Sequence, residues 1–298
     1  MRIILTLEQF PIFYAGAYGN KIEKTPGLDA WTLKSTVFDR VYSTCADGLE
    51  TLFQLWETCD FSAERFSGRK VFVSDLPVDA PEFFDAGKTV SSEEFFADSD
   101  TVLAEMKADF VWVHFQSCSL EMLDAWLLKP GVMDTLWALL GTSGELPDGD
   151  VRLYSSEIQL PWWIRFPDAH YAGTRCHALV TAADFQKFLD AGTPDTHFRD
   201  GIRIQTEDAR WAVVTENWFL TGFDSSDDEN EDEDRNGNGD GYGNLADVEP
   251  VDKPELYFKP SDWWDQNDVA VRCFNEIQEL LRFRDGVTDT PFQAFPEE

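Results

Sequence analysis

Asp232, Asp234 and Asn236, followed by Gly237, carry the D-x-D-x-N-G spacing of the first half of a calcium-binding loop. Oxygen donors at alternate positions, closed by a sharply turning glycine, suit a hard cation. Asn238 and Asp240 continue the series, so the candidate calcium loop is Asp232, Asp234, Asn236, Asn238 and Asp240. The twelfth position is Gly243 rather than a bidentate glutamate, and no amphipathic helix flanks the run. The competing reading is a solvated acidic insertion. The five cysteines, Cys45, Cys59, Cys118, Cys176 and Cys273, form no C-x-x-C pair, which points to reduced thiols in a cytoplasmic protein. His114, His170, His177 and His197 show no metal-ligand spacing.

Alternating strand and helix patterns would have to position any such groups. Arg2–Leu7, residues 69–75, Phe110–Phe115 and residues 160–166 read as buried strands, and residues 37–42 as extended. Helical patterns cover 27–35, 49–58, 120–140 with a break at Pro130-Gly131, and 182–191 with a stop at Gly192. Strands separated by helices predict an α/β sandwich around a largely parallel sheet. Beyond residue 200 a hairpin at 210–214 and 218–221 precedes the acidic run, and a helix over 269–283 follows it.

The chain has 24 Lys+Arg against 56 Asp+Glu, a net charge of −32. Such a surface repels polyphosphate backbones and anionic bilayers, so neither nucleic acid nor membrane is expected as a partner. With 24 Phe and 11 Trp the chain still has ample material for a core. The N-terminal apolar run is too short for a signal-peptide core, and no stretch is long enough to span a bilayer.

Several segments, in order, resemble the sulfatase family of the alkaline-phosphatase superfamily. Gly16-Ala17-Tyr18-Gly19 and Thr25-Pro26-Gly27-Leu28-Asp29 are similar to the G-x-Y-G turn and T-P-N-L-D motif that follow the family's first strand. Residues 37–44, ending Tyr42-Ser43-Thr44, resemble the F-x-x-x-Y-S strand leading into the nucleophile loop. Phe110–Phe115 is similar to the strand before the family's P-H-x-P segment. Thr142-Ser143-Gly144-Glu145 and Leu153 to Pro167 resemble S-D-H-G-E followed by L-Y-E-E-x-x-x-V-P-L-I-I-R-x-P. Residues 212–220 and Glu255-Leu256-Tyr257 are similar to the W-K-L and E-L-Y-D segments.

The resemblance implies an alkaline-phosphatase/sulfatase-like α/β/α sandwich around a largely parallel mixed sheet, with a small C-terminal α+β subdomain. The expected division is a core over 1–205, a subdomain over 206–285 containing the acidic insertion 224–243, and a tail over 286–298. It also implies a nucleophile, a divalent cation such as Ca²⁺, and basic groups around the ester. Glu8 falls where the first metal-binding aspartate would lie. Cys45 is the nucleophile candidate, but Asp47 and Leu49 depart from the family's C-x-P/A-x-R, and no basic residue adjoins it. Aligning Tyr42-Ser43-Thr44 instead places the nucleophile slot near Gly48. The Asp-His pair is missing between Ser143 and Gly144, the P-H-x-P histidine falls near Ser119, and the W-K-L lysine reads Phe219.

The expectation is a sulfatase-like protein without catalysis, acting by binding or regulation, with an active paralogue or a basic protein held by 224–243 as partner. The alternatives are a metal-dependent sulfate- or phosphate-ester hydrolase with a rearranged site, and an acidic protein-interaction module.

Overall fold

Period-two alternation sorts the side chains of β1 (Arg2–Leu7) and the later strand Phe110–Phe115 onto two faces, and both faces are buried. The computed structural model describes residues 1–76, 81–145, 152–194, 198–224, 253–259 and 261–291. Two compact units divide the chain: 1–148 with 154–202, and 149–153 with 203–298.

In the first unit α1 (Pro26–Thr32), β2 (Thr36–Tyr42) and α2 (Gly48–Thr58) follow β1. Then come β3 (Lys70–Ser74), β4 (Ala86–Thr89), α3 (Ser92–Ala97), α4 (Ser99–Met106), β5 (Phe110–Phe115), α5 (Leu120–Leu127), α6 (Val132–Thr135) and β6 (Leu136–Gly141). The unit continues through α7 (Ser155–Ile158), β7 (Gln159–Ile164), β8 (Arg175–Cys176) and α8 (Phe185–Ala191). The eight strands are ordered β4-β3-β5-β1-β6-β7-β2-β8, and β7 alone among them runs antiparallel to its neighbours. This is a mixed, mostly parallel sheet with helices on both sides, in agreement with the expected α/β/α class.

Each face has its own packing. Ile4, Trp112, Ala138, Leu140 and Trp162 meet Leu52, Leu55 and Trp56 of α2 and Phe185 of α8 in one core. On the other face Phe115 packs against Phe95 and Phe96, and both of these pack against Trp126. Trp162 and Trp163 straddle the sheet: Trp162 packs against Phe38 and Phe185, and Trp163 against Phe10 and Tyr18.

One element differs from the sequence expectation. The helical reading of 120–140 holds over Leu120–Leu127 and, after the Pro130-Gly131 break, Val132–Thr135, but Leu136–Gly141 is the strand beside β1. Its Leu-Trp-Ala-Leu-Leu run is short and apolar, a length at which periodicity does not separate a buried strand from a helix. Gly192 ends α8 in the left-handed region at φ 63°, as glycine permits.

The second unit is built on β9 (Gly201–Gln205), β10 (Arg210–Thr215), β11 (Trp218–Phe223) and β12 (Glu255–Phe258), ordered β12-β11-β10-β9, with α9 (Phe274–Arg284). Leu280 and Phe283 of α9 join Trp211, Leu220 and Leu256 in its core. The expected helix over 269–283 starts later, after a single 3-10 turn at Ala270–Arg272. Apart from Asp224, the acidic run 224–243 lies outside the described residues, and so does the whole candidate calcium loop. Among the described residues no helix is long and apolar enough to cross a membrane.

Candidate functional site

Parallel strands present their carboxyl ends together, so residues just past those ends share one edge of the sheet. Glu8 follows β1, Asp75 follows β3, Gln116 follows β5, and Thr142-Ser143 follows β6. Ile4, Thr6 and Glu8 alternate onto the α2 face, and the β1–β5 register sets Thr6 opposite His114.

A buried polar chain results. Thr6 Oγ1 donates to the Val113 carbonyl at 3.0 Å and accepts from Trp112 Nε1 at 3.1 Å. His114 Nδ1 lies 3.1 Å from the same hydroxyl, and His114 Nε2 lies 3.0 Å from Glu8 Oε1. A hydroxyl whose one proton goes to Val113 can only accept from the imidazole, so Nδ1 is a donor in this network. Thr6 and His114 are fully buried and the Glu8 side chain is 10 % exposed, so these bonds lie in a low-dielectric setting.

Gly48, the first residue of α2, stands over Glu8. A Cβ there would sit 2.4 Å from Glu8 Cγ, 2.6 Å from Cδ and 2.8 Å from Oε2. The arm of Glu8 therefore occupies the space into which any side chain at position 48 would project. Asp47 caps the same helix, its Oδ1 accepting from the Glu50 N–H at 2.7 Å.

Cys45 precedes that cap. Its Sγ lies 3.4 Å from Thr51 Oγ1 and 3.5 Å from Ser43 Oγ, and donates to the Asp47 carbonyl at 3.5 Å. Burial pushes the thiol above the ordinary cysteine range and the Glu50 charge adds to this, against hydrogen bonds from Thr51 and Ser43 that oppose it. A nucleophile needs the reverse arrangement, a cation that lowers the thiol. Asp75 lies near His114 and Glu8 and accepts from the Gln116 N–H. Burial raises its carboxyl, the Gln116 N–H and the His114 charge lower it, and the Glu8 charge raises it again. Cys118 is pushed up to about 12, by burial first and then by the charges of Asp75 and Glu93.

The donor set does not fit a divalent cation. Both histidine nitrogens already have partners, Nδ1 in the Thr6 hydroxyl and Nε2 in Glu8 Oε1 at 3.0 Å, so His114 faces a carboxylate rather than an open ligand position. Among the described residues no group of three or more His, Cys, Asp or Glu is disposed to hold one. The remaining motif positions are structural. Ser119 caps α5 by accepting from the Met122 N–H, and Ser143 Oγ accepts from the Gln9 N–H at 3.0 Å. Gly144 is pressed against the Ser156 carbonyl, where a Cβ would approach to 1.9 Å. In the second unit Phe219 is buried with the Lys259 ammonium 5.4 Å from its ring centre, while Lys259 pairs with Asp265. Of the other histidines, the exposed His177 places Nδ1 2.7 Å from Asp39 Oδ2. His114 is a fully buried strand residue with a partner at each ring nitrogen. The signal for its role is the polar T-x-E at the end of β1, but only the strand register brings the two together.

The sequence matches no protein-family model, and no curated protein matches it. Solved structures do match. A protein solved in complex with its substrate D-glucosamine-2-N,6-O-disulfate superposes with a TM-score of 0.67 at 11% identity, over 97% of both chains. A 2-O GAG sulfatase gives 0.63 at 10% identity, over 97% of this chain and 91% of that one. A member of the alkaline phosphatase superfamily from Vibrio parahaemolyticus gives 0.55 at 13% identity, over 75% of this chain and 76% of that one. The fold is that of the sulfatases and the alkaline-phosphatase superfamily. In this sulfatase-like fold the edge formed by Glu8, Asp75 and Gly48 is the candidate site, and its titratable groups are the carboxyls of Glu8 and Asp75 and the imidazole of His114.

Proposed function

We propose that this sulfatase-like protein does not hydrolyse sulfate or phosphate esters and acts by binding. The observation that carries the reading is the packing of Glu8 onto Gly48: the position aligned with the nucleophile has no side chain, and the carboxylate arm fills its space. An ester anion arriving there would meet Glu8 and Asp75, and transition-state charge needs cations or oriented donors instead. A glucosamine disulfate, the substrate of one protein of this fold, is therefore a poor candidate ligand for this edge. Binding is proposed to involve a basic protein partner held by the acidic run 224–243, or an active paralogue, in the cytoplasm.

The test uses full-length protein. Bound metals are quantified, then aryl sulfate, aryl phosphate and aryl phosphonate esters are assayed with added Ca²⁺, Mg²⁺, Mn²⁺ or Zn²⁺. The expected result is no turnover above the buffer rate. Turnover that disappears in Glu8→Ala would overturn the proposal.

A further inference from the structure

The sheet edge opposite Glu8 carries an open cavity of about 700 Å³. It lies where β1 and β6 begin and the antiparallel β7 ends, within the first unit. Three arginines reach it in a chain with far more acids than bases: Arg2, Arg65 and Arg165. Arg65 is paired with Asp190 at 2.8 Å. Arg2 and Arg165 are fixed differently. Arg2 NH1 donates to the Arg65 carbonyl at 2.7 Å, and its guanidinium lies 5.4 Å from the centre of the Trp137 ring. Arg165 NH1 donates to the carbonyls of Met133 at 2.7 Å and Asp134 at 3.2 Å. Among the described residues neither guanidinium has a carboxylate partner, and the Nε and NH2 groups of both are unspent.

Backbone carbonyls orient these guanidinium groups without neutralising them, so N–H donors in a planar fork remain for an anion. Trp137, Leu136, Phe166 and Leu189 supply an apolar wall beside them. Glu64, Asp134 and Asp168 also border the cavity, and a second negative charge on a ligand would be repelled by them. At the rim, Asp168 and Ala169 both hold left-handed backbone, at φ 60° and 53°. Two consecutive non-glycine residues in that region are strained, and such strain gathers at ligand clamps.

We infer that this cavity is a binding site for an organic monoanion with an apolar body, a carboxylate or a sulfate monoester, held by Arg2 and Arg165 against the wall at Trp137. The site is separate from the edge at Glu8 and does not depend on how that edge is read.

The experiment is calorimetric titration of full-length protein with phenylacetate and phenyl sulfate. Benzyl alcohol, inorganic sulfate and the dianion phenyl phosphate serve as comparison probes. Saturable binding of phenylacetate, phenyl sulfate or both is expected, weaker for phenyl phosphate and absent for benzyl alcohol. Arg165→Gln and Arg2→Gln should each weaken it by about tenfold, the loss expected for one charge-assisted hydrogen-bonding group. Glu8→Gln should leave it unchanged. Arg165 also anchors two carbonyls, so the variants are first checked by circular dichroism melting; Arg2, exposed and tied by one hydrogen bond, keeps the test open if Arg165→Gln does not fold. The inference falls if neither monoanion binds, if benzyl alcohol binds equally well, or if Arg2→Gln binds like the wild type.

Discussion

Glu8 and Gly48 exclude one another's alternatives: the Cγ of Glu8 lies 2.4 Å from where a Cβ on Gly48 would be. Gly48 has no left-handed backbone to explain it, so its missing side chain answers a steric need rather than a conformational one. The carboxylate arm also stands at the N-terminus of an eleven-residue helix, the end whose dipole favours negative charge. The two residues thus pack as a pair at this edge of the sheet.

Gly48→Ser should therefore destabilise the protein. Overpacking of this kind costs about 1–3 kcal/mol, and urea unfolding would record it. Glu8→Ala in the same chain removes the obstacle, so the double variant should lose less than the two single losses combined. Additive losses in the cycle would mean that the two side chains do not compete for one space.

His114 is tied at both nitrogens, so its removal strands Glu8 on one side and Thr6 on the other. His114→Ala should cost roughly 3 kcal/mol, the scale for breaking a buried pair from one side. Thr6→Val should cost less, roughly 1–2 kcal/mol for the lost partners of Trp112 and His114. His114→Gln, which keeps a donor toward Glu8, should recover part of the alanine loss. Equal stability of the alanine variant and the wild type would show that the chain of hydrogen bonds contributes nothing.

Strand ends and collinear motifs were legible in the sequence because they depend on local runs. Arg2–Leu7 and Phe110–Phe115 are each a mostly apolar stretch, interrupted by Thr6 and by His114, and the Trp162-Trp163 pair sits where a buried strand needs large side chains on both faces. Leu136–Gly141 was not legible, since a short apolar run of Leu-Trp-Ala-Leu-Leu satisfies either period. Helices α3 and α4 lie outside the sequence expectation, although each has a side-chain cap: Ser91 accepts from the Glu94 N–H at 3.1 Å and Asp98 from the Thr101 N–H at 3.3 Å. Both caps are ordinary sequence signals of a helix start. The pairing of Glu8 with His114 spans 106 positions and is set by which strands are neighbours, which no local pattern encodes.

The thiols offer a chemical check on the site. A cysteine held at about 12, as Cys118 is, has a thiolate fraction at pH 8 on the order of a thousandfold below that of free cysteine. Alkylation mapped by mass spectrometry on native protein should label Cys118 very slowly, and burial predicts slow labelling of Cys45 and Cys59 as well. Labelling of all of them should accelerate in urea. A Cys45 that reacts faster than free cysteine in the folded protein would restore it as a nucleophile candidate.

Asp75 gives the pH dependence a definite sign. Its carboxyl is held above the ordinary aspartate value chiefly by burial, so the folded chain binds that proton at a pH where the unfolded chain has released it. Stability then falls as pH rises from about 4, the unfolded value, through the raised folded value. Asp75→Asn removes the titration and keeps an oxygen for the Gln116 N–H, which Asp75 accepts at 3.1 and 3.2 Å. The stability of the variant relative to the wild type should therefore climb with pH across this window and level off above it. Urea unfolding at closely spaced pH values from about 4 to 7 reads this difference directly. A difference that stays flat would place Asp75 in ordinary solvent, and one that falls would mean that the His114 charge outweighs burial and Glu8 together.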